Sequence, residues 1–495
     1  MALQLFNTLS NKVEEFHPIE YNLVRMYACG PTVYDYGHIG NFRTFVAVDV
    51  LRRFLKQSGY KLKHVMNITD VEDKIIRNAA RDGKTVQEYT KKYIQAFLED
   101  ADALNIEQPE LLVKATDHIQ EMAHFIADLR DKGYAYATDD GSYYFRIARF
   151  PEYGKLSKKD LAGMAVGARV DVDEYEKDNA RDFALWKAPK PGEASWDTEI
   201  GPGRPGWHIE CSQMSMNYLG DSFDIHAGGE DLIFPHHENE IAQSESLTGK
   251  PFVRYWIHSR FLLVEGEKMA KSAANFYAVR DLVLMGHKPS SIRFLLMSVP
   301  HHKPLNFTFD GLTQAANSVE RLRNFKQRVQ TSRFPEGSNP AIAELTNRAS
   351  AEMKAGMEDD LNTARALGAV FDLVRDVNAA MDNTQVKKED VPGVLKALVQ
   401  FDEIFAVLQD DDAAKVRATV EWAKSEGKAD KISPAAEEIA KAASLSDANI
   451  EKLVAEHSQA RQSRNFARSD AIRNQLAESG IILENTKDGV RWKRK

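Results

Sequence analysis

The sequence predicts an α/β protein in which a parallel sheet covered by helices is followed by an α-helical bundle and a small mixed α/β domain. Three observations lead to this prediction. In the first half, apolar strands alternate with amphipathic helices, beginning with residues 24–29, 42–55 and 62–68, an order that implies parallel strands. From about residue 310 nearly every segment has helical periodicity. Roughly the last forty residues return to mixed character.

The other elements follow from hydrophobic period and turn residues. Next in the first half are helices at 86–104 and 119–132, a hairpin at 134–145 and strands at 222–226 and within 252–264. The second half adds helices at 312–329, 361–381, 391–408 and 467–477, and a hairpin at 481–483 and 490–493. Pro- and Gly-containing segments at 331–340 and 427–434 are predicted linkers.

The length of 495 residues exceeds one compact core and suggests roughly three domains. We expect a sheet domain formed by 1–132 and 207–309, which includes a lysine-containing loop at 268–272. An insertion at 133–206 interrupts it, and a helical domain at 310–430 and a C-terminal domain at 435–495 follow.

Composition limits the class of protein. The chain is 43% hydrophobic and 28% charged, as in an ordinary globular protein, and has no apolar run long enough for a membrane span. Its N-terminus lacks the basic stretch of a signal peptide, and its two cysteines cannot form a disulfide framework. We therefore expect a cytoplasmic protein. The net charge of −8 argues against a protein that is basic throughout, but local basic patches can still bind nucleic acid.

No Walker A motif is present, so an ATP site must be built in another way. Gly201, Gly203 and Gly206 match the dinucleotide-binding pattern G-x-G-x-x-G. Two prolines lie inside this match and no strand pattern leads into it. A rigid loop is therefore the better interpretation.

A sharper signal runs from the end of the first strand, through a glycine-containing turn, into a helix. It reads Cys29-Gly30-Pro31-Thr32-Val33-Tyr34-Asp35-Tyr36-Gly37-His38-Ile39-Gly40-Asn41. Here nucleotide phosphates would meet an imidazole and backbone donors at a helix start. A lone histidine would more often only cap the helix. However, residues 38–41 resemble the His-Ile-Gly-His signature of class I aminoacyl-tRNA synthetases. Lys268-Met269-Ala270-Lys271-Ser272 resembles their Lys-Met-Ser-Lys-Ser loop, in the expected order.

Longer matches resemble the cysteine-specific branch of that family. They are residues 203–212 (Gly-Arg-Pro-Gly-Trp-His-Ile-Glu-Cys-Ser), 224–226, 228–229, 234–240 (Phe-Pro-His-His-Glu-Asn-Glu), 67–70 and 480–484. The resemblance covers nearly the whole chain. It implies a Rossmann-like catalytic domain and ligation of L-cysteine to tRNA(Cys) through an adenylate, with Mg²⁺ accompanying ATP. It also implies an anticodon-recognition role for the C-terminal domain, and we expect a monomer.

The resemblance also implies site residues. The catalytic positions are His38, Asn41, Lys268 and Lys271; the ATP-binding positions are His38, Gly40, Asn41 and Lys271; the amino-acid pocket is formed by Thr69, Trp207 and Asp231. Two positions depart from the family pattern. Asn41 replaces the second histidine, so it can donate a hydrogen bond but is never cationic, and Ala270 lacks the hydroxyl of the first loop serine. Both lysines are intact, so we expect activity to survive.

The only two cysteines, Cys29 and Cys211, both fall in these motifs. From the residues alone, two separate buried cysteines are the likelier case, because zinc modules usually keep their ligands in close pairs. His236 and Glu240 share one face if they lie on a helix. The resemblance implies that these four residues bind one Zn²⁺ per chain. His237, three residues from Glu240, is a competing ligand.

Zinc would serve selectivity. Serine differs from cysteine by one atom, and a shaped pocket separates such near-isosteres by only ~10²-fold. A metal ion prefers a thiolate to a hydroxyl, so direct coordination would make a separate editing domain unnecessary. A purely structural zinc is the alternative, because four protein ligands normally close a site. A catalytic role requires a fifth ligand or the release of Glu240.

The C-terminal tail is locally basic, with nine basic and four acidic residues from Arg461 to the end. Phe466 and Trp492 are available to stack on bases, which suits contact with a single-stranded anticodon. A solvated surface is the alternative for any one of these charges. Two other functions stay open from sequence: a ligase that joins cysteine to a sugar amine, and an inactive tRNA-binding paralogue with a structural zinc. The intact lysines argue against the second.

Overall fold

The computed structural model describes residues 2–159, 182–190, 192–269, 275–486 and 489–494. Its strands are β1 Gln4–Asn7, β2 Lys12–Glu15, β3 Leu23–Ala28, β4 Lys61–Ile68, β5 Leu111–Lys114, β6 Ala135–Ala137, β7 Tyr143–Phe145, β8 Phe183–Lys187, β9 Arg204–Pro205, β10 Phe223–Gly229, β11 Val253–Ser259, β12 Leu262–Val264, β13 Glu267–Lys268, β14 Leu305–Phe307, β15 Ile481–Thr486 and β16 Gly489–Arg494.

The helices begin with the crossovers of the sheet and continue through the second half. They are α1 Ile39–Gln57, α2 Asp73–Arg81, α3 Val86–Ala103, α4 Ile119–Asp131, α5 Trp207–Leu219, α6 Glu238–Thr248, α7 Val279–Leu284, α8 Pro289–Met297, α9 Phe309–Thr331, α10 Pro340–Glu358, α11 Thr363–Asp382, α12 Val391–Phe405, α13 Asp412–Ser425, α14 Pro434–Lys441, α15 Asp447–Gln462 and α16 Phe466–Glu478. None of the helices in the described part of the chain is long and apolar enough to cross a membrane.

The central sheet has five strands in the order β11-β10-β3-β4-β5, and every neighbouring pair is parallel. The buried residues of β3 are apolar, and those of β4 are apolar apart from His64 and Asn67, as expected of strands covered on both faces. The predicted fold class is therefore confirmed. Because the strands are parallel, the residues that follow β3, β4 and β10 meet at one edge of the sheet.

The segment between β5 and β10 carries a second, antiparallel sheet in the order β6-β7-β8-β9. Its first two strands form the hairpin predicted at 134–145. The glycine-rich stretch 201–206 was predicted as a rigid loop, but its residues Arg204–Pro205 form the edge strand β9, which pairs with β8. A Cβ on Gly203 would lie 2.2 Å from Nε1 of Trp186, and one on Gly206 would lie 2.2 Å from the carbonyl oxygen of Ala184. Close packing, rather than a phosphate, requires these glycines.

Helices α9 to α16 and the antiparallel pair β15–β16 form the second half. Their apolar faces join those of α1, α8 and the sheet in one continuous hydrophobic cluster. The segment predicted as a linker at 331–340 connects α9 to α10. The second predicted linker holds a short 3₁₀ turn, Ala429–Lys431, between α13 and α14. The division into a sheet domain with an insertion, a helical domain and a C-terminal domain stays a prediction.

Candidate metal centre and nucleotide site

The two cysteines, 182 residues apart in sequence, meet at the carboxyl edge of the sheet. Cys29 directly follows β3 and Cys211 lies in the first turns of α5. Their sulfur atoms are 3.8 Å apart. Glu240 of α6 places Oε1 4.0 Å from Sγ of Cys29 and 3.1 Å from Nε2 of His236. All four side chains are buried, and their ligand atoms lie within 4.8 Å of one another.

A second set of ligands overlaps the first. It contains Cys29 and Glu240 again, together with His226 and His237, also within 4.8 Å and also buried. Nε2 of His237 lies 3.3 Å from Sγ of Cys29, and Nε2 of His226 lies 2.9 Å from Oε2 of Glu240. The structure thus brings the four predicted metal ligands together, with two further histidines beside them.

An outer layer of hydrogen bonds fixes the orientation of the histidine rings. Nδ1 of His236 lies 2.9 Å from Nδ1 of His208, which leaves Nε2 of His236 free to face the cluster. Nδ1 of His237 lies 2.8 Å from Nε2 of His258, whose own Nδ1 lies 2.7 Å from the hydroxyl of Thr8. Ring-to-partner bonds of this kind are typical of metal-binding histidines.

The carboxylate of Glu240 stays ionised despite its burial. Burial alone would raise the pKa of Glu240, but the charges of His226 and His236 hold that pKa at about 2. Burial and the neighbouring Cys211 raise the pKa of Cys29. Against its own burial, hydrogen bonding to Cys29 and the charge of His236 lower the pKa of Cys211. A carboxylate and an acidified thiol in a buried space favour a cation with nitrogen and sulfur ligands, such as Zn²⁺.

The His38 motif forms the start of α1. Nδ1 of His38 accepts a hydrogen bond from the amide of Asn41 at 3.2 Å, and the side-chain oxygen of Asn41 accepts one from the amide of His38 at 3.2 Å. This is a reciprocal cap, so the capping role considered for His38 is present. The His38 ring also lies edge-on to Phe276, 4.9 Å between centroids. The His38 motif and the lysine loop lie next to each other at Gly40: a Cβ on this residue would lie 2.9 Å from both Nδ1 of His38 and Cε of Met269.

Only part of the lysine loop is described. Lys268 lies on β13, where its main chain pairs with Leu263 of β12, and its ammonium is 5.9 Å from the centre of the Phe261 ring. Its carbonyl accepts a hydrogen bond from the side-chain amide of Asn275 at 3.2 Å. Lys271 and Ala270 lie outside the described residues.

The structure describes all three predicted amino-acid-binding residues. Thr69 follows β4 and donates its hydroxyl to Oε2 of Glu210 at 2.8 Å. Trp207 begins α5 and stacks on His236, with ring centroids 4.2 Å apart. Asp231 is exposed just beyond β10, where a Cβ on Gly229 would lie 2.3 Å from its Oδ1. Burial and the charge of Cys211 raise the pKa of Glu210.

Sequence reasoning missed several residues of the site. His226 and His208 lie inside motifs that resemble the family, but no role was inferred for them. His258 lies on β11 with no motif around it, so no sequence signal could have found it. Glu210, next to Cys211, was also missed.

Comparison with known proteins gives two matching family models. Residues 15–317 match a model described as "tRNA synthetases class I (C) catalytic domain", and residues 352–409 match a DALR domain. The chain is 74% identical over its full length to the full-length cysteine–tRNA ligase of Koribacter versatilis and 55% identical, also over both full lengths, to that of Solibacter usitatus.

A similar solved structure supports the fold alone. The methionyl-tRNA synthetase of Mycobacterium tuberculosis bound by methionyl-adenylate superposes with a TM-score of 0.56 at 14% identity. The match covers 86% of this chain and 94% of that one.

Proposed function

Because this chain belongs to the cysteine–tRNA ligase family of class I aminoacyl-tRNA synthetases, we propose that it joins L-cysteine to tRNA(Cys) in two steps, with a bound Zn²⁺ that selects the thiol. In the first step, a carboxylate oxygen of cysteine attacks the α-phosphorus of ATP, the bond to the bridging oxygen breaks and pyrophosphate leaves. In the second, a terminal ribose hydroxyl of the tRNA attacks the carbonyl carbon of the adenylate and loses its proton, and AMP leaves.

The reaction needs no covalent enzyme intermediate, so these residues act by positioning and by charge. His38 and Gly40, at the N-terminus of α1, and Asn41 would receive ATP, since helix starts favour phosphates. Lys268 and Lys271 would neutralise the charge that develops on the phosphates, with Mg²⁺ accompanying ATP. Asn41 is committed to the cap of α1, which supports a positioning role for it.

The amino-acid side would be held at the sheet edge. Asp231 is a carboxylate for the substrate ammonium, and its exposure leaves it accessible. Trp207, the first residue of α5, and Thr69, which follows β4, would line the pocket for the amino acid. Trp207 stacks on His236, so the pocket and the cluster share a wall.

The single observation that carries the proposal is the meeting of the two cysteines with His236 and Glu240 beside this pocket. Two thiols, an imidazole and a carboxylate are a donor set that fits Zn²⁺. When bound, Zn²⁺ would supply a Lewis acid that prefers a thiolate to a hydroxyl. The other oxygen of Glu240, Oε2, lies 2.9 Å from Nε2 of His226.

The test measures metal and selectivity together. We expect Cys211→Ser and His236→Gln to lose bound zinc and to activate cysteine over serine by only ~10²-fold or less, because shape alone then discriminates. The matched control is His118→Gln, a buried histidine bonded to Tyr218 at 3.1 Å outside the two ligand sets, which should keep the metal. Full zinc retention in Cys211→Ser would exclude this site.

The second ligand set gives a distinct result. If Cys29, His226, His237 and Glu240 hold the ion, His237→Gln loses zinc and His236→Gln keeps it. Our proposal predicts the reverse, with His237→Gln keeping most of its zinc. Cysteine-dependent pyrophosphate exchange followed by tRNA charging separates the synthetase from a sugar-amine ligase, since only the synthetase charges tRNA.

A further inference from the structure

A second group of metal-binding side chains lies away from the cysteines. His301 and His302 are in the loop between α8 and β14, and Asp360 is in the turn between α10 and α11. Their ligand atoms lie within 4.8 Å of one another. Two imidazoles and a carboxylate are the donor set by which proteins hold divalent transition metals with open positions for water.

The distances are close to what coordination needs. Nδ1 of His302 lies 2.9 Å from Oδ2 of Asp360, and Nε2 of His301 lies 4.0 Å from Oδ1. Ligands bound at about 2.0–2.1 Å in a tetrahedron stand about 3.3 Å apart, so each of these two distances differs from the required spacing by less than ~1 Å. The two imidazole rings are nearly perpendicular, at 87°, and their centroids are 5.4 Å apart.

The burial of His301 and the lack of a hydrogen bond on the two Nδ1 atoms, among the residues that the structure describes, favour a metal-binding site over a surface ion pair. His301 is 6% exposed, and Nδ1 of His302, the atom that faces Asp360, is buried without a hydrogen bond in the described part of the chain. A buried polar atom without a partner calls for an explanation. The His302 side chain is 33% exposed, which gives an ion a route from solvent.

The backbone holds these residues in place without the metal. Arg43 donates to the carbonyl oxygens of Val299 and Pro300 at 3.0 Å and of Lys303 at 3.3 Å, which fixes the histidine loop. Asp360, at a φ of 51°, donates its amide to the carbonyl of Gln4 at 3.1 Å. Its Oδ1 accepts the amide of Phe6 at 2.8 Å. Both halves of the site are therefore preorganised, which lowers the cost of binding.

We propose that His301, His302 and Asp360 form a second metal site for a divalent first-row transition ion such as Zn²⁺, Co²⁺ or Ni²⁺. The nitrogen ligands select against Mg²⁺ and Ca²⁺, which prefer oxygen. A bound ion links the loop after α8 to the turn after α10 and so fastens the helical half to the sheet domain. This site is independent of the cysteine cluster, with which it shares no residue.

The experiment titrates the full-length protein, with its first metal bound, with Co²⁺. Bound metal is measured by equilibrium dialysis, and absorption and the thermal unfolding temperature are recorded in parallel. The variants are His302→Gln, which removes a partly exposed ligand, and Asp360→Asn, which keeps an acceptor for Phe6 and tolerates the positive φ. The control is His17→Gln, an exposed histidine 3.2 Å from Glu15.

We expect wild type and His17→Gln to bind a second equivalent whose spectrum lacks a sulfur-to-cobalt charge-transfer band and which raises the unfolding temperature. His302→Gln should bind that equivalent at least about tenfold more weakly, without the rise in unfolding temperature. Should Asp360→Asn fail to fold, His302→Gln decides alone. No second equivalent in wild type, undiminished binding in His302→Gln, or equal weakening by His17→Gln would overturn the proposal.

Discussion

Gly40→Ala should separate catalysis from stability at the start of α1. Gly40 belongs to the His38 motif and lies next to the lysine loop, and the added Cβ would be 2.9 Å from both Nδ1 of His38 and Cε of Met269. Ordinary contacts begin at 3.4 Å, so the ring and the methyl group must each move by about half an ångström. Both neighbours are side-chain atoms, which can yield without unfolding the helix.

The two effects on stability nearly cancel. Nδ1 of His38 accepts the amide of Asn41 at 3.2 Å, and moving the ring breaks this cap, at a cost of ~1 kcal/mol. Replacing glycine by alanine within a helix stabilises the folded state by roughly 0.5–1 kcal/mol. Activity has no such compensation: a ~1 Å misplacement of a reacting group lowers rates by about 10²-fold, so a shift of half that size should lower them about tenfold. We expect kcat/KM for ATP to fall by about that factor, while the unfolding temperature changes by less than a few degrees.

The assay is cysteine-dependent pyrophosphate exchange at varied ATP and at varied cysteine, with thermal unfolding in parallel. The matched control is Gly368→Ala, where the glycine lies within α11 and a Cβ meets nothing within 4 Å. That variant should be slightly more stable and fully active. The placement of ATP beside Gly40 would be refuted if kcat/KM for ATP were unchanged in Gly40→Ala. It would also be refuted if the whole decrease in activity were explained by the fraction of unfolded protein.

Three further predictions test other parts of the molecule. Lys271→Ala should slow adenylation by ~10²-fold with normal zinc content, since one transition-state charge contact is removed, and pyrophosphate exchange measures it. The Phe466 ring is 58% exposed, so Phe466→Ala should weaken tRNA binding by ~1–3 kcal/mol, measured by filter binding. The Trp492 ring packs against the core, so Trp492→Ala should mainly lower the thermal unfolding temperature. Burial, and after it the charge of Arg52, lowers the pKa of His64 from 6.5 to about 3, so the wild-type protein loses stability as the pH falls below 6.5, by about 3 kcal/mol between pH 7 and pH 4. His64→Met has no group that titrates at this position, so its free energy of unfolding, measured with denaturant, should depend less on pH over this range.

Much of the fold follows from local pattern. The strand and helix around the His38 motif were predicted at 24–29 and 42–55 and lie at Leu23–Ala28 and Ile39–Gln57. The helix starts earlier than its apolar periodicity suggests because His38 and Asn41 cap each other, and such a cap carries no hydrophobic signal. The placement of β10 beside β3 was beyond prediction, because it depends on a crossover that spans the whole antiparallel sheet.

Trp492 shows how a residue's role depends on burial that sequence does not reveal. As part of a basic tail it was expected to be available for stacking on bases, together with Phe466. In the structure it lies on β16, packs against the core, and its carbonyl accepts a hydrogen bond from Gln327 of α9 at 2.9 Å. Phe466, at the start of α16, is the exposed ring of the two.

The pairing of His236 with Glu240 was predicted from helical spacing, and the contact is present although the reason differs. α6 begins at Glu238, so both histidines precede it in a wider turn, Ile233–His237. That turn brings both imidazoles toward one carboxylate oxygen, with Nε2 of His236 at 3.1 Å and Nε2 of His237 at 3.9 Å from Oε1. Spacings of three and four residues are equally good on a helix, so sequence cannot choose between them. The outer partners make the choice testable: His208 orients one ring and His258 the other, and losing the partner of the true ligand should weaken metal binding by about 10–100-fold.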